Sequence, residues 1–218
     1  MSKKQFIVIG MGRFGTSIAK TLASLGKDVL AVDNDIDLIN SVAPFVTHAI
    51  QADATDEKSL IALGIKNFDV AVVTMGDNMQ ASILITMMCK EMGVKYVLAK
   101  AQNELHGKVL LRTGADRVVF PERDMGIRMA HNLADSSILD YIEITGDLRI
   151  MNISADESWV GKDLISLNFR QKYGVNVIAI KKENRLITSP HGADIIDEGD
   201  TLVVSGDKES IDKLEAGY

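Results

Sequence analysis

The fold of this chain is decided by residues 6–15, which read Phe6-Ile7-Val8-Ile9-Gly10-Met11-Gly12-Arg13-Phe14-Gly15. Four apolar residues suit a buried strand, and three glycines with the spacing GxGxxG follow directly. A helical pattern of apolar residues then covers residues 14–25. In such a strand–turn–helix unit, Gly10 permits the tight turn, Gly12 lets a phosphate approach the backbone, and Gly15 lets the helix pack on the strand. The stretch therefore predicts a phosphate-binding turn at a helix N-terminus.

The same alternation of strand and helix patterns continues through the first 120 residues. Apolar runs rich in valine and isoleucine predict parallel strands at residues 6–9, 29–32, 48–50, 70–73, 96–98 and 117–120. Segments of helical periodicity lie between them, at residues 14–25, 35–43, 56–63, 78–92 and 103–113. Six strands and five helices in this order predict an α/β fold with a Rossmann-type, doubly wound parallel sheet.

The pattern changes after residue 121. Apolar residues at near-helical spacing, among them Met125, Met129, Leu133 and Ile138, predict a helix that begins at Pro121 or Glu122 and ends near Asp140. A small α+β domain is predicted next, with strands at 141–144, 149–153, 175–181, 186–187 and 201–205, a turn at Gly146-Asp147, and helices at 162–167 and 208–214. We therefore predict three parts: a Rossmann nucleotide-binding domain at 1–121, a helix at 122–140, and an α+β domain at 141–218.

The composition argues against two classes of protein. With a net charge of −6 and no cluster of lysine and arginine, the chain lacks the basic face that nucleic-acid binding needs. The longest apolar run, near residues 83–89, is far shorter than the roughly 20 residues of a transmembrane helix. The N-terminus shows no apolar segment with a cleavage site, so we predict no signal peptide and a cytoplasmic location. Cys89 lies on an apolar helix face and is predicted to be a buried, reduced thiol.

Two acidic residues suit the adenosine part of a nucleotide. Asp33 ends the second strand, 18 residues beyond Gly15, where a carboxylate can accept hydrogen bonds from ribose hydroxyls and would repel the 2′-phosphate of NADP. The alternative is that it caps a helix or ends a strand in solvent. Asp53-Ala54 follows the third strand, where Rossmann proteins commonly bracket the adenine. Capping of the helix that starts near Asp56 explains the acidic residues of that stretch equally well.

Three charged residues are candidates for the phosphate end of the site. Arg13 stands inside the glycine loop and could bind a terminal phosphate in its own site or in a neighbouring subunit's, or it could simply face solvent. Lys100 and Glu122 follow the fifth and sixth strands, at the sheet edge where ligands bind in such folds. A lysine and a carboxylate there suit a phosphate chain with a cation, and an internal salt bridge is the alternative.

Groups needed for catalysis are missing from the sequence. The histidines at 48, 106, 131 and 191 are scattered, without metal-ligand spacing and without a carboxylate partner at a strand end. No GxxxxGK[ST] loop occurs, which excludes a P-loop ATPase. These absences favour a nucleotide-binding protein that is not an enzyme. The alternatives are an NAD(H)-binding sensor and a small NAD-dependent oxidoreductase, since both would use the same glycine loop and Asp33.

Taken together, several segments resemble the regulator-of-potassium-conductance (RCK) family, specifically the cytoplasmic gating subunits of bacterial Ktr/Trk-type potassium uptake systems. The segments are residues 6–15, 29–33, 78–82 (Asn-Met-Gln-Ala-Ser), 99–103 (Ala-Lys-Ala-Gln-Asn), 114–117 and 121–126 (Pro-Glu-Arg-Asp-Met-Gly). The resemblance implies an octameric ring at the inner face of the membrane, docked under a membrane-embedded potassium-translocating pore subunit. It also implies that ATP activates the system and that ADP inactivates it.

The resemblance also assigns roles to single residues. Its nucleotide site would be formed by the glycine loop and by residues beyond it: Gly10, Gly12, Arg13, Phe14, Gly15, Asp33, Asp53, Ala54, Lys100 and Glu122. Arg13 would reach a terminal phosphate across a subunit boundary, and Glu122 would be a metal ligand, associated with a divalent or monovalent cation at the phosphates. The helix at residues 122–140 would be the crossover helix that pairs subunits.

The C-terminal domain is similar to the second module of the same family, which binds cyclic di-AMP at its dimer interface in related bacterial proteins. The matching segments are residues 164–170, 174–178 and Pro190-His191. The resemblance implies that Arg170, Asn176 and Pro190 contribute to such a site. An arginine suits a phosphate, an asparagine suits a base edge, and an apolar wall suits a base face.

Overall fold

The computed structural model describes residues 4–76, 78–134, 138–145 and 148–215. The chain divides into two units, Met1–Glu122 and Arg123–Tyr218. The predicted turn at Gly146-Asp147 lies outside the described residues. No helix in the described ranges is long and apolar enough to cross a membrane.

The N-terminal unit contains a sheet of six parallel strands. The strands are β1 (Gln5–Ile9), β2 (Asp28–Asp33), β3 (His48–Gln51), β4 (Val70–Val73), β5 (Tyr96–Lys100) and β6 (Arg117–Val119). Their order across the sheet is β3-β2-β1-β4-β5-β6, and every neighbouring pair is parallel. The order reverses between β1 and β4, where doubly wound sheets open a crevice at the carboxyl ends of the strands. The doubly wound prediction is therefore confirmed.

Five helices connect these strands. They are α1 (Arg13–Ser24), α2 (Ile36–Val42), α3 (Glu57–Ala62), α4 (Met79–Glu91) and α5 (Glu104–Arg112). Helices α2 to α5 each begin after an N-cap side chain that accepts a hydrogen bond from a backbone N–H; the caps are Asp35, Asp56, Asn78 and Asn103. Helix α1 begins after Gly12, which offers no side-chain cap. Among these five helices, the N–H groups at the start of α1 are therefore the ones left open to a ligand.

The core of the N-terminal unit lies on both faces of the sheet. Successive residues of β1 alternate between the two faces, because Ile7 and Ile9 pack with Leu60, Ile85, Cys89 and Leu110, whereas Val8 packs with Ala19, Ile39 and Val42. Helices α1 and α2 cover one face, and α3, α4 and α5 cover the other. Burial raises the pKa of the Cys89 thiol to about 12, in agreement with the predicted buried thiol.

The C-terminal unit contains an antiparallel sheet with short helices. After α6 (Pro121–Ala134) come β7 (Ile138–Thr145), β8 (Leu148–Ser154), α7 (Leu164–Leu167), α8 (Phe169–Tyr173), β9 (Asn176–Lys182), β10 (Arg185–Ile187), β11 (Thr201–Asp207) and α9 (Lys208–Glu215). The strand order is β10-β9-β11-β8-β7. This is the small α+β fold predicted for the second half of the chain.

The end of the predicted helix at residues 122–140 is wrong. Ile138 and Asp140 belong to β7, where they pair with Ile153 and Asn152 of β8. This long-range pairing satisfies the backbone N–H and C=O groups of the segment. It outweighs the weak helical periodicity of the apolar residues, of which Ile138 is the last.

Helix α8 was also not predicted from the sequence. This helix is anchored by Phe169, which is buried and lies edge-to-face against Trp159 at 4.8 Å between ring centroids. Asn168 separates α7 from α8 with a left-handed backbone (φ 48°). The contact with Trp159 is not visible in local periodicity, so a five-residue helix here could not be predicted from the chain alone.

Candidate functional site

The glycine loop is packed so tightly that two of its glycines cannot be replaced without displacement. Gly10 has φ +97°, and a Cβ at this position would lie 2.9 Å from Thr74 Oγ1. A Cβ at Gly15 would lie 1.9 Å from the carbonyl oxygen of Gly10. Gly12 differs, because nothing lies within 4 Å of its Cβ position. Gly10 and Gly15 thus serve the protein's own packing, and Gly12 faces open space, as expected of a backbone that a phosphate approaches.

The peptide unit between Gly10 and Met11 is held at both of its polar ends. Thr74 Oγ1 donates to the Gly10 carbonyl oxygen at 2.6 Å, and Met11 N donates to Asp33 Oδ2 at 2.5 Å. Thr74 is buried and follows β4 directly. No motif in the sequence indicated a role for this threonine. The available signal was a hydroxyl immediately after an apolar strand, on the sheet edge where ligands bind.

Asp33 is both a structural and a candidate binding residue. It is 9% exposed, and its second oxygen accepts a hydrogen bond from Asp35 N at 2.9 Å. A carboxylate offers about four acceptor positions, so two backbone donors leave room for ribose hydroxyls. The N-cap of α2 is Asp35, not Asp33. The helix-capping alternative for Asp33 therefore does not hold, and its role at the end of β2 is to bind the glycine loop.

A small cleft lies beside Asp33, at the carboxyl ends of β1, β2 and β3. Its volume is about 160 Å³, and its lining includes Gly10, Asp33, Asn34, Asp53, Ala54 and Asn78. Asp53 accepts hydrogen bonds from Thr55 N (2.9 Å) and Thr55 Oγ1 (2.6 Å), whereas Asp56 caps α3. Asp56 is therefore the residue that caps α3, and Asp53 lines the cleft, where it could bind a ligand. A wider groove of about 600 Å³ lies at the amino ends of the strands and contains none of the predicted nucleotide residues.

The structure brings Lys100 and Glu122 together at the other side of the loop. Lys100 Nζ donates to Glu122 Oε1, so the internal salt bridge considered as the alternative is present. This hydrogen bond holds the pKa of the Glu122 carboxyl below its ordinary value, and the positive charge of Arg13 contributes to the same shift. Arg13 itself is exposed at the first residue of α1. Two cations and one carboxylate thus share this end of the site.

The described residues do not by themselves complete a metal site at Glu122. Within the described ranges, no group of three or more histidine, cysteine or acidic side chains could hold one. Glu122 is a single carboxylate, and one of its oxygens already binds Lys100. Ca²⁺ takes about six to eight oxygen ligands and Mg²⁺ about six, and Mg²⁺ commonly takes most of them from water and from substrate phosphates. Any cation at Glu122 would therefore need oxygens besides those that the described residues provide.

The described histidines form no catalytic arrangement with the site. His106 is buried in α5, its Nδ1 accepts a hydrogen bond from Gln102 N at 3.3 Å, and burial lowers its pKa. His48 and His191 are exposed. The side chain of His131 lies outside the described residues.

The three residues predicted in the C-terminal unit are not brought together by the described contacts. Arg170 is exposed on α8, Asn176 is exposed at the start of β9, and Pro190 is half-buried between β10 and β11. The loop after Pro190 binds α7, where Ile165 N donates to the Gly192 carbonyl at 3.0 Å. Among the described residues of this unit, the three therefore occupy separate positions.

The sequence matches two domain families along most of its length. Residues 6–121 match the TrkA-N domain, and residues 148–216 match the TrkA-C domain. The Ktr system potassium uptake protein C of Bacillus subtilis (strain 168) is 45% identical over 213 residues, which are 98% of this chain and 96% of that protein. Protein A of the same system and organism is 44% identical, covering 99% of this chain and 97% of the relative.

Solved structures share the fold. The GsuK channel matches with a TM-score of 0.71 and 19% identity, over 98% of this chain and 39% of that chain. The crystal structure of the GsuK RCK domain matches with a TM-score of 0.69 and 19% identity, over 99% of this chain and 47% of that one. The chain thus spans less than half the length of these solved chains. Because both domains match and relatives of 44–45% identity align nearly end to end, the chain belongs to the TrkA-N/TrkA-C family that includes the Ktr system potassium uptake proteins.

Proposed function

We propose that this protein is the nucleotide-responsive regulatory subunit of a potassium uptake system, and that it gates a membrane-embedded pore subunit. The observation that carries the proposal is the uncapped N-terminus of α1, which lies between the cleft at Asp33 and the cations Arg13 and Lys100. A helix N-terminus attracts phosphate through its free N–H groups and its partial positive charge. The relatives' potassium uptake role supports the transport assignment.

The site suits an adenosine nucleotide laid along the carboxyl edge of the sheet. In the proposed arrangement, the adenine occupies the cleft at Asp53 and Ala54, and the ribose hydroxyls donate to Asp33. The phosphates then cross the open backbone at Gly12 toward Arg13. A 2′-phosphate would meet the Asp33 carboxylate, so NADP is a poor ligand.

Discrimination between ATP and ADP would arise at the phosphate end. A third phosphate extends the negative charge toward Arg13 and Lys100, and it also approaches the Glu122 carboxylate. If two ring states place these groups differently, the ligand that binds one state better shifts the population toward it. We propose that ATP favours the active state and ADP the inactive one, in an octameric ring in which Arg13 reaches a neighbour's nucleotide. No catalytic step is part of this proposal.

An NAD(H)-binding sensor is the second candidate. NAD shares the adenosine half and the pyrophosphate with ADP, and the GsuK channel, which has the same fold, has been solved bound to NAD. The two candidates differ at the phosphate end, where NAD must place a second ribose and nicotinamide near Lys100 and Glu122. The ion pair of Lys100 with Glu122 is better suited to a terminal phosphate, which supplies the charge that Lys100 can bind.

Two further ligands stay predictions. Cyclic di-AMP could bind the C-terminal unit through Arg170, Asn176 and Pro190, provided that a second copy of the chain completes a pocket. A cation could bind Glu122 if phosphate oxygens of the nucleotide supply its remaining ligands.

Calorimetric titration with the oligomeric mass measured alongside tests the proposal. We expect saturable binding of ATP and ADP by an assembly larger than a dimer, and binding of NADPH at least about tenfold weaker than of NADH because of Asp33. The matched variant Asp33→Asn should narrow the difference between NADH and NADPH, since it removes the charge but keeps the size of the side chain. A monomer that binds neither ATP nor ADP would contradict the proposal, and selective NADH binding by a dimer would favour the sensor.

A further inference from the structure

Thr74 lies behind the glycine loop, and its backbone N–H and its hydroxyl both bind carbonyl oxygens of the loop and of the strand before it. Its backbone N donates to the Ile9 carbonyl at 2.9 Å, which continues the pairing of β4 with β1. Its hydroxyl contacts the Gly10 carbonyl at 2.6 Å and the Ile9 carbonyl at 3.0 Å. The residue is 6% exposed, so water cannot easily replace these bonds.

The hydroxyl also occupies the space that Gly10 and Gly15 leave open. Cβ atoms at these glycines would lie 2.9 Å and 2.5 Å from Thr74 Oγ1. The oxygen is therefore enclosed by the turn on one side and by the first turn of α1 on the other. A methyl group could occupy the same volume, but it could not donate to the Gly10 carbonyl.

The hydrogen bond of the Thr74 hydroxyl affects the phosphate side of the loop through one peptide unit. When the Gly10 carbonyl points to Thr74, the N–H of Met11 points the opposite way, to Asp33 Oδ2. The chain then passes through Gly12 into α1, whose first intrahelical bond runs from Thr16 N to the Gly12 carbonyl at 2.9 Å. Rotation of the Gly10–Met11 peptide would redirect the N–H groups that precede Thr16.

We propose that Thr74 is a positioning residue for nucleotide phosphates: its hydroxyl fixes the Gly10–Met11 peptide and thereby aims the N–H groups at the start of α1. Thr74 touches no part of the ligand in this arrangement and acts through the backbone. The ligand part of the inference rests on the proposed function, whereas the effect on the loop does not.

The test compares Thr74→Val, which keeps the shape and removes the hydroxyl, with Thr74→Ser, which keeps the hydroxyl. Thr86→Val is the matched control, because Thr86 is also buried but its hydroxyl makes no hydrogen bond among the described residues. Binding of ADP, ATP and adenosine is measured by calorimetry on the full chain. Amide hydrogen exchange of residues 10–16 is measured without nucleotide.

We expect Thr74→Val to weaken ADP and ATP binding about tenfold and adenosine binding less than threefold, because the loss of one buried hydrogen bond misaligns the phosphate donors. Exchange at residues 10–16 should become faster in this variant, and Thr74→Ser and Thr86→Val should behave like the wild type. Unchanged exchange and unchanged ADP affinity in Thr74→Val would overturn the inference, as would equal losses for adenosine and ADP. If the wild type bound no nucleotide, the proposed function would fail, and the exchange data alone would still decide whether Thr74 fixes the loop.

Discussion

The two ends of the parallel sheet use their charged side chains differently. At the amino ends, Asp69 binds Lys95 at 2.7 Å and Asp116 binds Lys90 at 2.9 Å, and each aspartate also accepts a hydrogen bond from the backbone N–H of a neighbouring strand residue. These carboxylates join strand starts to one another and neutralise nearby lysines. The charged side chains at this end therefore bind one another within the fold.

At the carboxyl ends, charged side chains and the N–H groups at the start of α1 remain open to a ligand. Asp33 is held by backbone N–H groups, and Lys100 meets one largely exposed carboxylate, Glu122. Arg13 is exposed, and α1 begins without a side-chain cap. The two ends of this sheet therefore differ in role. Ion pairs within the protein stabilise the amino ends, whereas the free N–H groups at the start of α1, at the carboxyl ends, are suited to binding an anion. Substitutions at the two ends should therefore change different properties of the protein.

Gly15→Ala should have the largest effect. The new Cβ would lie 1.9 Å from the Gly10 carbonyl oxygen, so α1 must move away from β1. We expect a loss of about 3 kcal/mol in the free energy of unfolding, typical of severe overpacking, together with the loss of ADP binding. Urea denaturation followed by circular dichroism measures the first quantity, and calorimetry measures the second.

Gly12→Ala is the control within the same loop. Nothing lies within 4 Å of its Cβ position, and its φ of −63° is allowed for alanine, so stability should change by less than about 1 kcal/mol. Nucleotide binding should still weaken, since the methyl group stands where the phosphate approaches. A large loss of stability in Gly12→Ala, or none in Gly15→Ala, would contradict the division of roles between the glycines.

Arg13→Ala should have an intermediate effect confined to the ligand. Because the side chain is exposed, stability should stay within about 0.5 kcal/mol of the wild type. Loss of a charge-assisted contact to the terminal phosphate should reduce the ratio of ATP affinity to ADP affinity about tenfold, with adenosine affinity unchanged. Competition binding with the three ligands measures the preference. Equal losses for ATP and ADP would argue against a contact with the terminal phosphate.

Asp69→Asn should have the smallest effect, and it concerns the amino ends. The hydrogen bonds from Lys95 and from Gln5 N hold the pKa of Asp69 below its ordinary value of 3.8. A carboxyl whose pKa is depressed by folding stabilises the folded state above pH 4 and loses this contribution as the pH falls through its folded pKa. The wild type should therefore be modestly more stable than Asp69→Asn at pH 6, and the difference should shrink as the pH falls below 4.

Urea midpoints at pH 6, 5, 4 and 3 provide the measurement for Asp69→Asn. The side chain of Lys95 is 79% exposed, so the difference at pH 6 should also shrink in about 1 M salt. A difference that is independent of both pH and salt would point to packing instead of charge. Binding of ADP should be the same in both proteins, since Asp69 lies at the opposite end of the strands.

The sequence indicated most residues of the candidate site but few of the contacts between them. The glycine loop, Asp33, Lys100 and Glu122 were recognisable because each follows an apolar strand, and parallel strands end at a common edge. The sequence left open whether Asp53 or Asp56 caps α3, and whether Lys100 binds Glu122. Both questions depend on side-chain rotamers and on distances between separate segments.

The order of strands and helices in the N-terminal unit was determined by the sequence itself, because hydrophobic periodicity and the GxGxxG spacing act over a few residues. Tertiary structure alone decided the start of β7 at Ile138, the helix anchored by Phe169 and the hydrogen bonds of the Thr74 hydroxyl. Thr74 and Gly10 are 64 residues apart, and their hydrogen bond exists only because β4 pairs with β1. Local patterns reflect the backbone preferences of neighbouring residues, whereas contacts between distant segments arise only when the whole sheet has formed.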